Sequence, residues 1–249
     1  MDEEERFRQE VETGIARMAA DADVAALSRI WVREMMRHQY SHHFRWLGVP
    51  IIQLPQDVMA MQELVWATRP DVIVETGVAR GGSLIFYASM MQLLGGDGKV
   101  VGVDIDIRPH ARKAIAEHPF ASRISLVEGS SIEPTTFERV LGELGGRRRV
   151  LVVLDSNHTH EHVLTELRMY GRLVQSGSWL VVMDTLIEDV PAEYSSHRSW
   201  APGNSPKSAV RAFLTENFRF VADTSIDAKL SITASPEGFL RCVADGERP

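Results

Sequence analysis

Two stretches of the chain gather residues able to do chemistry. The first is Glu75-Thr76-Gly77-Val78-Ala79-Arg80-Gly81-Gly82-Ser83, which joins the apolar run Val72–Glu75 to a helical stretch beginning at Gly82. Glycines at a strand-to-helix turn let the backbone bend tightly and approach a ligand closely. The amides that open the helix then face the ligand's polar groups. A second apolar run, Val100–Asp104, ends in an acid 27 residues after Gly77. A carboxylate there can accept both hydroxyls of a ribose. A third run ends at Glu128-Gly129-Ser130-Ser131, where a base edge lies in nucleoside-binding sheets. Alone, the glycines need mean only a tight turn. The GxxxGG spacing also departs from the GxGxxG fingerprint of dinucleotide sites.

The second stretch is Leu154-Asp155-Ser156-Asn157-His158-Thr159-His160-Glu161-His162, answered further on by Val182-Met183-Asp184-Thr185. Both follow apolar runs. Neighbouring parallel strands bring their carboxyl ends together at one crevice. Asp155 and Asp184 are therefore placed to share a hard divalent cation such as magnesium, which would orient a hydroxyl and lower its pKa. His158 follows in the loop above and can take the released proton, because imidazole titrates near working pH. As a plainer reading, strand-end Asp often caps the next segment. His162 is expected to pack or cap rather than bind. A metal site from His158, His160 and His162 is disfavoured, since alternate residues on a helix do not face one another. His42 and His43, in a segment with Tyr40, Phe44 and Trp46, belong either to a pocket wall or to a surface loop.

These groups need a frame. Apolar residues recur at helical spacing through residues 4–38, with a break signalled by Asp21 and Asp23. Residues 39–57 are irregular, and helix resumes from about Gln56 to Thr68. Then strands alternate with helices: strands at Val72–Glu75, Val100–Asp104, Ile124–Glu128, Val150–Asp155 and Trp179–Asp184, helices at Gly82–Leu94, Arg108–Glu117, Pro134–Leu144 and Glu161–Leu173. Short apolar strands alternating with helices predict a parallel sheet covered on both faces. A helix after Pro206 is followed by strands near Phe218–Asp223, Leu230–Ala234 and Phe239–Val243, the last two joined by a turn as an antiparallel edge hairpin. The polar, aromatic segment 187–206 is long enough for a lid carrying Tyr194, His197, Arg198 and Trp200.

The chain has 249 residues and a net charge of −7, with 44% apolar and 24% charged residues. These are globular proportions, and the acidic balance argues against a nucleic-acid partner. One cysteine, Cys242, excludes an intramolecular disulfide framework and a CxxC zinc site. The start Met1-Asp2-Glu3-Glu4-Glu5 is the opposite of a basic leader, and no run approaches the roughly 18 apolar residues of a membrane helix. A cytoplasmic protein without membrane partners is expected.

Glu75-Thr76-Gly77-x-x-x-Gly81-Gly82-Ser83 followed by Gly102-Val103-Asp104 resembles the class I S-adenosylmethionine-dependent methyltransferases. Pro70–Gly77, Leu154–His158, His162-Val163 and Pro202-Gly203-Asn204-Ser205-Pro206 narrow the resemblance to the cephalosporin-hydroxylase-like family, which includes metal-assisted O-methyltransferases of antibiotic sugars. The resemblance implies a Rossmann-like α/β fold with a seven-stranded, mostly parallel sheet, an antiparallel C-terminal hairpin and an N-terminal helical extension. Residues 1–55 would form that extension and loop, and 56–249 the methyltransferase domain. It implies S-adenosylmethionine as cofactor, held by Glu75, Thr76, Gly77, Gly81, Ser83, Asp104, Ser130, Ser131 and Asp155. It further implies Mg2+ (or Mn2+) on Asp155 and Asp184, catalysis by His158 and Asp155, a small-molecule hydroxyl acceptor, and a homo-oligomer packed through its N-terminal helices. Relatives usually carry Glu-Asp or Asp-Asp where this chain has Met183-Asp184, so metal binding is expected to be weakened. Two other readings compete: a nucleotide-dependent oxidoreductase or hydroxylase, and a non-catalytic cofactor-binding relative.

Overall fold

The computed structural model describes residues 1–247 and 249. Helices α1 (Glu3–Ala20) and α2 (Ala22–Arg37) open the chain. They are separate because the Asp21 carboxylate caps α2, accepting from the amides of Asp23 and Val24 at 2.9 and 3.2 Å. A 3-10 turn at Tyr40–His43 leads into a small antiparallel hairpin, β1 (Arg45–Trp46) and β2 (Val49–Pro50), and then α3 (Pro55–Thr68). The alternating region follows: β3 (Val72–Thr76), α4 (Gly82–Leu94), β4 (Lys99–Asp104), α5 (Pro109–Ala116), β5 (Ile124–Glu128), α6 (Pro134–Leu144), β6 (Val150–Leu154), α7 (His160–Tyr170) and β7 (Trp179–Val182). The chain closes with α8 (Pro206–Glu216), β8 (Phe220–Ala222), α9 (Thr224–Leu230) and β9 (Phe239–Cys242).

The main sheet has seven strands in the order β5-β4-β3-β6-β7-β9-β8. β3 pairs in parallel with both β4 and β6, and β9 runs antiparallel between β7 and β8. This is the seven-stranded, mostly parallel arrangement expected. The strands read as nearly unbroken apolar runs because both faces are covered. Ile73, Leu151, Val153 and Val181 pack toward α3 and α4. Their neighbours Val72, Val74, Val150, Val152 and Leu180 pack toward α6, α7 and α8. The chain leaves β3 toward β4 and β5, then returns to β6 on the other side. The reversal places the carboxyl ends of β3 and β6 side by side, where open α/β sheets bind ligands. The amide of Asp155 donates there to the carbonyl of Thr76, at 2.8 Å.

The C-terminal part differs from expectation in one element. Leu230–Ala234 is not a strand: Asp223 caps Thr224–Leu230 into α9 by accepting from the Ser225 amide at 3.2 Å. The loop beyond is held by the buried Asp57 of α3, which accepts from the Thr233 hydroxyl and, at 2.9 Å, from the Ala234 amide. The antiparallel pair at the sheet edge is present as expected, formed by β8 and β9 with β9 next to β7.

The N-terminal segment is partly woven into this frame. The Trp46 indole donates to the Ser89 hydroxyl at 3.0 Å. A Cβ at Gly82 would lie 2.2 Å from the Pro50 carbonyl oxygen, so the hairpin sits directly on the start of α4. Helix α1 lies against α9 and buries none of its residues fully; Phe7, Val11, Leu27, Ile30 and Met36 of α1 and α2 are exposed. No helix among the described residues is long and apolar enough to cross a membrane.

Candidate active site

The turn after β3 is shaped by backbone contacts. Gly77 has φ 95, and a Cβ there would stand 2.0 Å from the carbonyl oxygen of Asp155. Only glycine lets the β3 and β6 ends approach this closely. Gly81, with φ 86, is the residue just before α4, and the position of its absent Cβ faces Ile115 of α5 rather than the crevice. Asp104, ending β4, reaches over the turn and accepts from the amides of Val78 and Ala79 at 2.8 and 3.3 Å, and from that of Asp106 at 3.1 Å.

Glu75 is fully buried. Its Oε2 accepts from the Ser83 hydroxyl at 2.7 Å and its Oε1 has no partner. Burial raises its pKa well above the usual carboxylate range, and the nearby charges of Asp155 and Asp104 add to the rise. Thr76 is buried alongside with its hydroxyl unpaired. Gly77, Ser83 and Asp155 line one crevice together with Gln53. Ser130 and Ser131 stand farther off, past the end of β5. The Ser131 hydroxyl belongs to a polar network with the His162 imidazole, at 3.0 Å, in which Ser156 donates to the buried Glu166 at 2.7 Å. His162 thus packs within a hydrogen-bonded network.

Across Asp155 lies a larger cavity of about 560 Å³, whose lining includes Asp155, His158 and Asp184. His158 lies between the two acids, with Nε2 3.6 Å from Asp155 Oδ1 and Nδ1 3.4 Å from Asp184 Oδ2. One donor atom from each of the three residues falls within 4.8 Å of the others. Burial raises the Asp155 carboxyl to about 6, and the Asp184 charge adds to that rise. For His158, burial disfavours the charged ring, but Asp184 and Asp155 outweigh it and lift the pKa above the ordinary imidazole value. Asp184 itself has left-handed backbone, φ 55, just past β7. Such strain in a non-glycine residue collects at functional sites. Met183 beside it is buried against the core, its sulfur accepting from the Ser235 hydroxyl at 3.4 Å, and it offers no carboxylate.

The remaining walls come from two distant segments. Helix α2 and the following turn contribute Trp31, Val32, Met35, Met36, Tyr40 and His42. His43 turns away, its Nε2 3.0 Å from the His38 carbonyl oxygen. The segment after β7 contributes Leu186, Ile187, Tyr194, His197, Arg198 and Trp200. Trp200 packs edge-on against His158 with ring centroids 4.9 Å apart, and the Arg198 guanidinium lies 5.2 Å from the centre of the Trp200 ring.

This segment is tied down along its length. The His160 amide donates to Asn204 Oδ1 at 2.9 Å, and the Gly203 amide donates to Glu188 at 2.9 Å. Lys207, 3% exposed, pairs with Asp189 and Glu237. The wall from α2, Gln53 and the Ser156–His162–Glu166 network were missed in the sequence. Only the i,i+4 spacing of His162 and Glu166 offered a signal.

A family model described as Rhamnosyl O-methyltransferase/CmcI matches residues 38–243. The rhamnosyl O-methyltransferase of Mycobacterium tuberculosis is 31% identical over 205 residues, spanning 78% of this chain and 76% of that protein. That of Mycobacterium leprae is 28% identical over 202 residues, spanning 78% and 81%. Among solved structures, cmcI-D160 Mg-SAM aligns with a TM-score of 0.58 at 21% identity, over 82% of this chain and 78% of that one, a likeness of fold. The family match runs from the turn after α2 through the last strand, and the chain belongs to the Rhamnosyl O-methyltransferase/CmcI family, an enzyme of the methyltransferase class.

Proposed function

We propose that the chain transfers a methyl group from S-adenosylmethionine to a hydroxyl of a small natural product, a sugar or other secondary metabolite, with help from a divalent cation. The observation that carries this reading is the placement of His158 between Asp155 and Asp184, beside the turn made by Gly77. The family relatives are rhamnosyl O-methyltransferases, which supports a sugar hydroxyl.

The residues present fit both groups. Glu75 offers a buried carboxylate with one oxygen free, and Asp104 a carboxylate at the end of the next strand, as suits a cationic nucleoside. Asp155 and Asp184 offer two hard oxygens to a cation from one side, with the His158 imidazole between them left to take a proton. When bound, the cofactor supplies a methyl group on a sulfonium, and the cation a positive charge that favours ionised hydroxyl oxygen.

The chain's own part is alignment and proton transfer. Gly77 and Ser83 shape the crevice, with Thr76 and Gly81 setting the turn. Asp104 accepts the ribose hydroxyls, and Ser130 and Ser131 border the base. Asp155 stands where crevice and cavity meet, so it faces both reactants. His158 takes the hydroxyl proton. Trp200 and its neighbours exclude water from the oxygen nucleophile. Residues 1–55 supply an acceptor wall, and their exposed apolar side chains serve a homo-oligomer.

Methyl transfer from S-adenosylmethionine to a panel of rhamnosyl and other hydroxylated glycosides tests this. Turnover should rise with Mg2+ or Mn2+ over a broad range and fall with EDTA. Full rate after EDTA would remove the cation from the reading. Failure to bind S-adenosylmethionine would remove the reading itself.

A further inference from the structure

Gln53 occupies a position that neither fold nor packing explains. It is 4% exposed, yet both its amide nitrogen and its amide oxygen lack a hydrogen-bond partner. Such groups are costly to bury, and in native structures an unpaired one calls for an explanation. The residue lies in the short segment between β2 and α3 and lines both the crevice at Gly77 and the larger cavity beyond Asp155. The buried phenol of Tyr87 lies beside Gln53 and Glu75 without an aligned hydrogen bond, and Glu75 Oε1 is likewise unpaired. Gln53 at the crevice wall, with Tyr87 and Glu75 buried beside it, thus gathers an amide donor, an amide acceptor, a phenol and a carboxylate oxygen, all withdrawn from water.

We infer that the Gln53 carboxamide, together with Glu75, binds the amino-acid end of the cofactor. This rests on the proposed use of S-adenosylmethionine. The match is chemical: an α-amino-acid group carries an ammonium that donates and a carboxylate that accepts. Glu75 Oε1 and Gln53 Oε1 meet the first, and the Gln53 amide nitrogen meets the second. Since Gln53 precedes α3, the N-terminal segment then supplies part of the cofactor site as well as a cavity wall.

Calorimetric titration of Gln53→Met tests the inference with two ligands, S-adenosylhomocysteine and 5′-methylthioadenosine, which lacks the amino-acid end. Met keeps the bulk and removes both polar atoms. S-adenosylhomocysteine should bind about tenfold more weakly, and methylthioadenosine as in the wild type. The ligand-free variant should melt no lower than wild type, since two unpaired buried atoms are gone; a merely structural Gln53 would give the opposite. Gln53→Glu, which keeps an acceptor and loses the donor, should show the same selective loss and serves if Gln53→Met does not fold. Unchanged S-adenosylhomocysteine affinity, or equal loss for both ligands, overturns the inference. A wild type that binds neither ligand overturns instead the cofactor reading on which it stands.

Discussion

On the two sides of Asp155 the molecule is held by different means. Toward β3 and β4, what is held is mostly backbone: Gly77 lies against the Asp155 carbonyl, and the turn amides are gripped by the Asp104 carboxylate. Toward α2 and the segment after β7, they are set by side chains, as Trp200 packs on His158 and Lys207 pairs with Asp189. A backbone-defined surface tolerates little change in shape, which suits a cofactor that is always the same. A surface built from side chains on distant segments can be altered one residue at a time, which suits the variable partner of the proposed reaction. The groups proposed to react, Asp155, His158 and Asp184, lie on the seam, and the separation predicts which ligand each substitution disturbs.

The largest effect is expected at the seam. His158→Ala should lower turnover by roughly 10²–10⁴-fold, the usual contribution of a general base, with cofactor affinity little changed. The wild-type rate should fall on the acid side as well. Asp184 and Asp155 hold the proton on His158, overcoming the effect of burial. The neutral ring that accepts a proton is therefore lost as pH drops through a value above the ordinary imidazole pKa. A full rate for a folded His158→Ala chain would remove His158 as base and leave the seam without one.

A smaller and one-sided effect is expected at Asp104. A charge-assisted hydrogen bond to a ribose hydroxyl is worth about 1.5–3 kcal/mol, so even the net loss of one in Asp104→Ala should weaken S-adenosylmethionine by roughly ten- to a hundredfold. The variant also frees the Val78 and Ala79 amides that Asp104 holds. At saturating cofactor the acceptor KM should stay near wild type. Wild-type cofactor affinity in the folded variant would sink the assignment. A matching rise in acceptor KM would show that the two sides are not separate.

The same division explains what the sequence could and could not reveal. Gly77, Asp104 and Asp155 were legible because a strand end, a turn and a helix start follow one another locally, and the parallel topology brings those ends together. Asp184 was legible for the same reason, although β7 stops at Val182 and a left-handed residue completes the approach. Gln53 gave no signal: one amide in a Pro-flanked segment looks like any surface polar residue. The stripe Trp31, Met35 read only as the packing face of a helix, since helical period tells which residues share a face and not what that face meets. The Leu230–Ala234 strand failed because Asp223 and Thr224 start a helix, and Asp57, far away in sequence, fixes the loop after it.

The smallest effect, and the sharpest probe of the acceptor side, is expected at Lys207. Its ammonium is buried and joins Asp189, which ends the 3-10 turn after Asp184, to Glu237 in the turn before β9. Lys207→Met keeps the aliphatic stem and removes the charge. The two carboxylates left behind are partly open to water, so they rehydrate rather than remain stranded. The turn after Asp184 keeps other ties: Thr185 donates to the Pro236 carbonyl at 2.7 Å, and the Leu186 amide to that of Ala234 at 3.1 Å. The loss is therefore partial, about 1–2 kcal/mol, or roughly 2–8 °C in melting temperature. Because the loosened turn lines the cavity proposed for the acceptor and not the crevice proposed for the cofactor, acceptor KM should rise about two- to fivefold, corresponding to under about 1 kcal/mol. Cofactor affinity should not move. Calorimetry with S-adenosylhomocysteine beside acceptor kinetics separates the two, and equal losses in both would mean that the ion pair supports the whole crevice rather than one side of it.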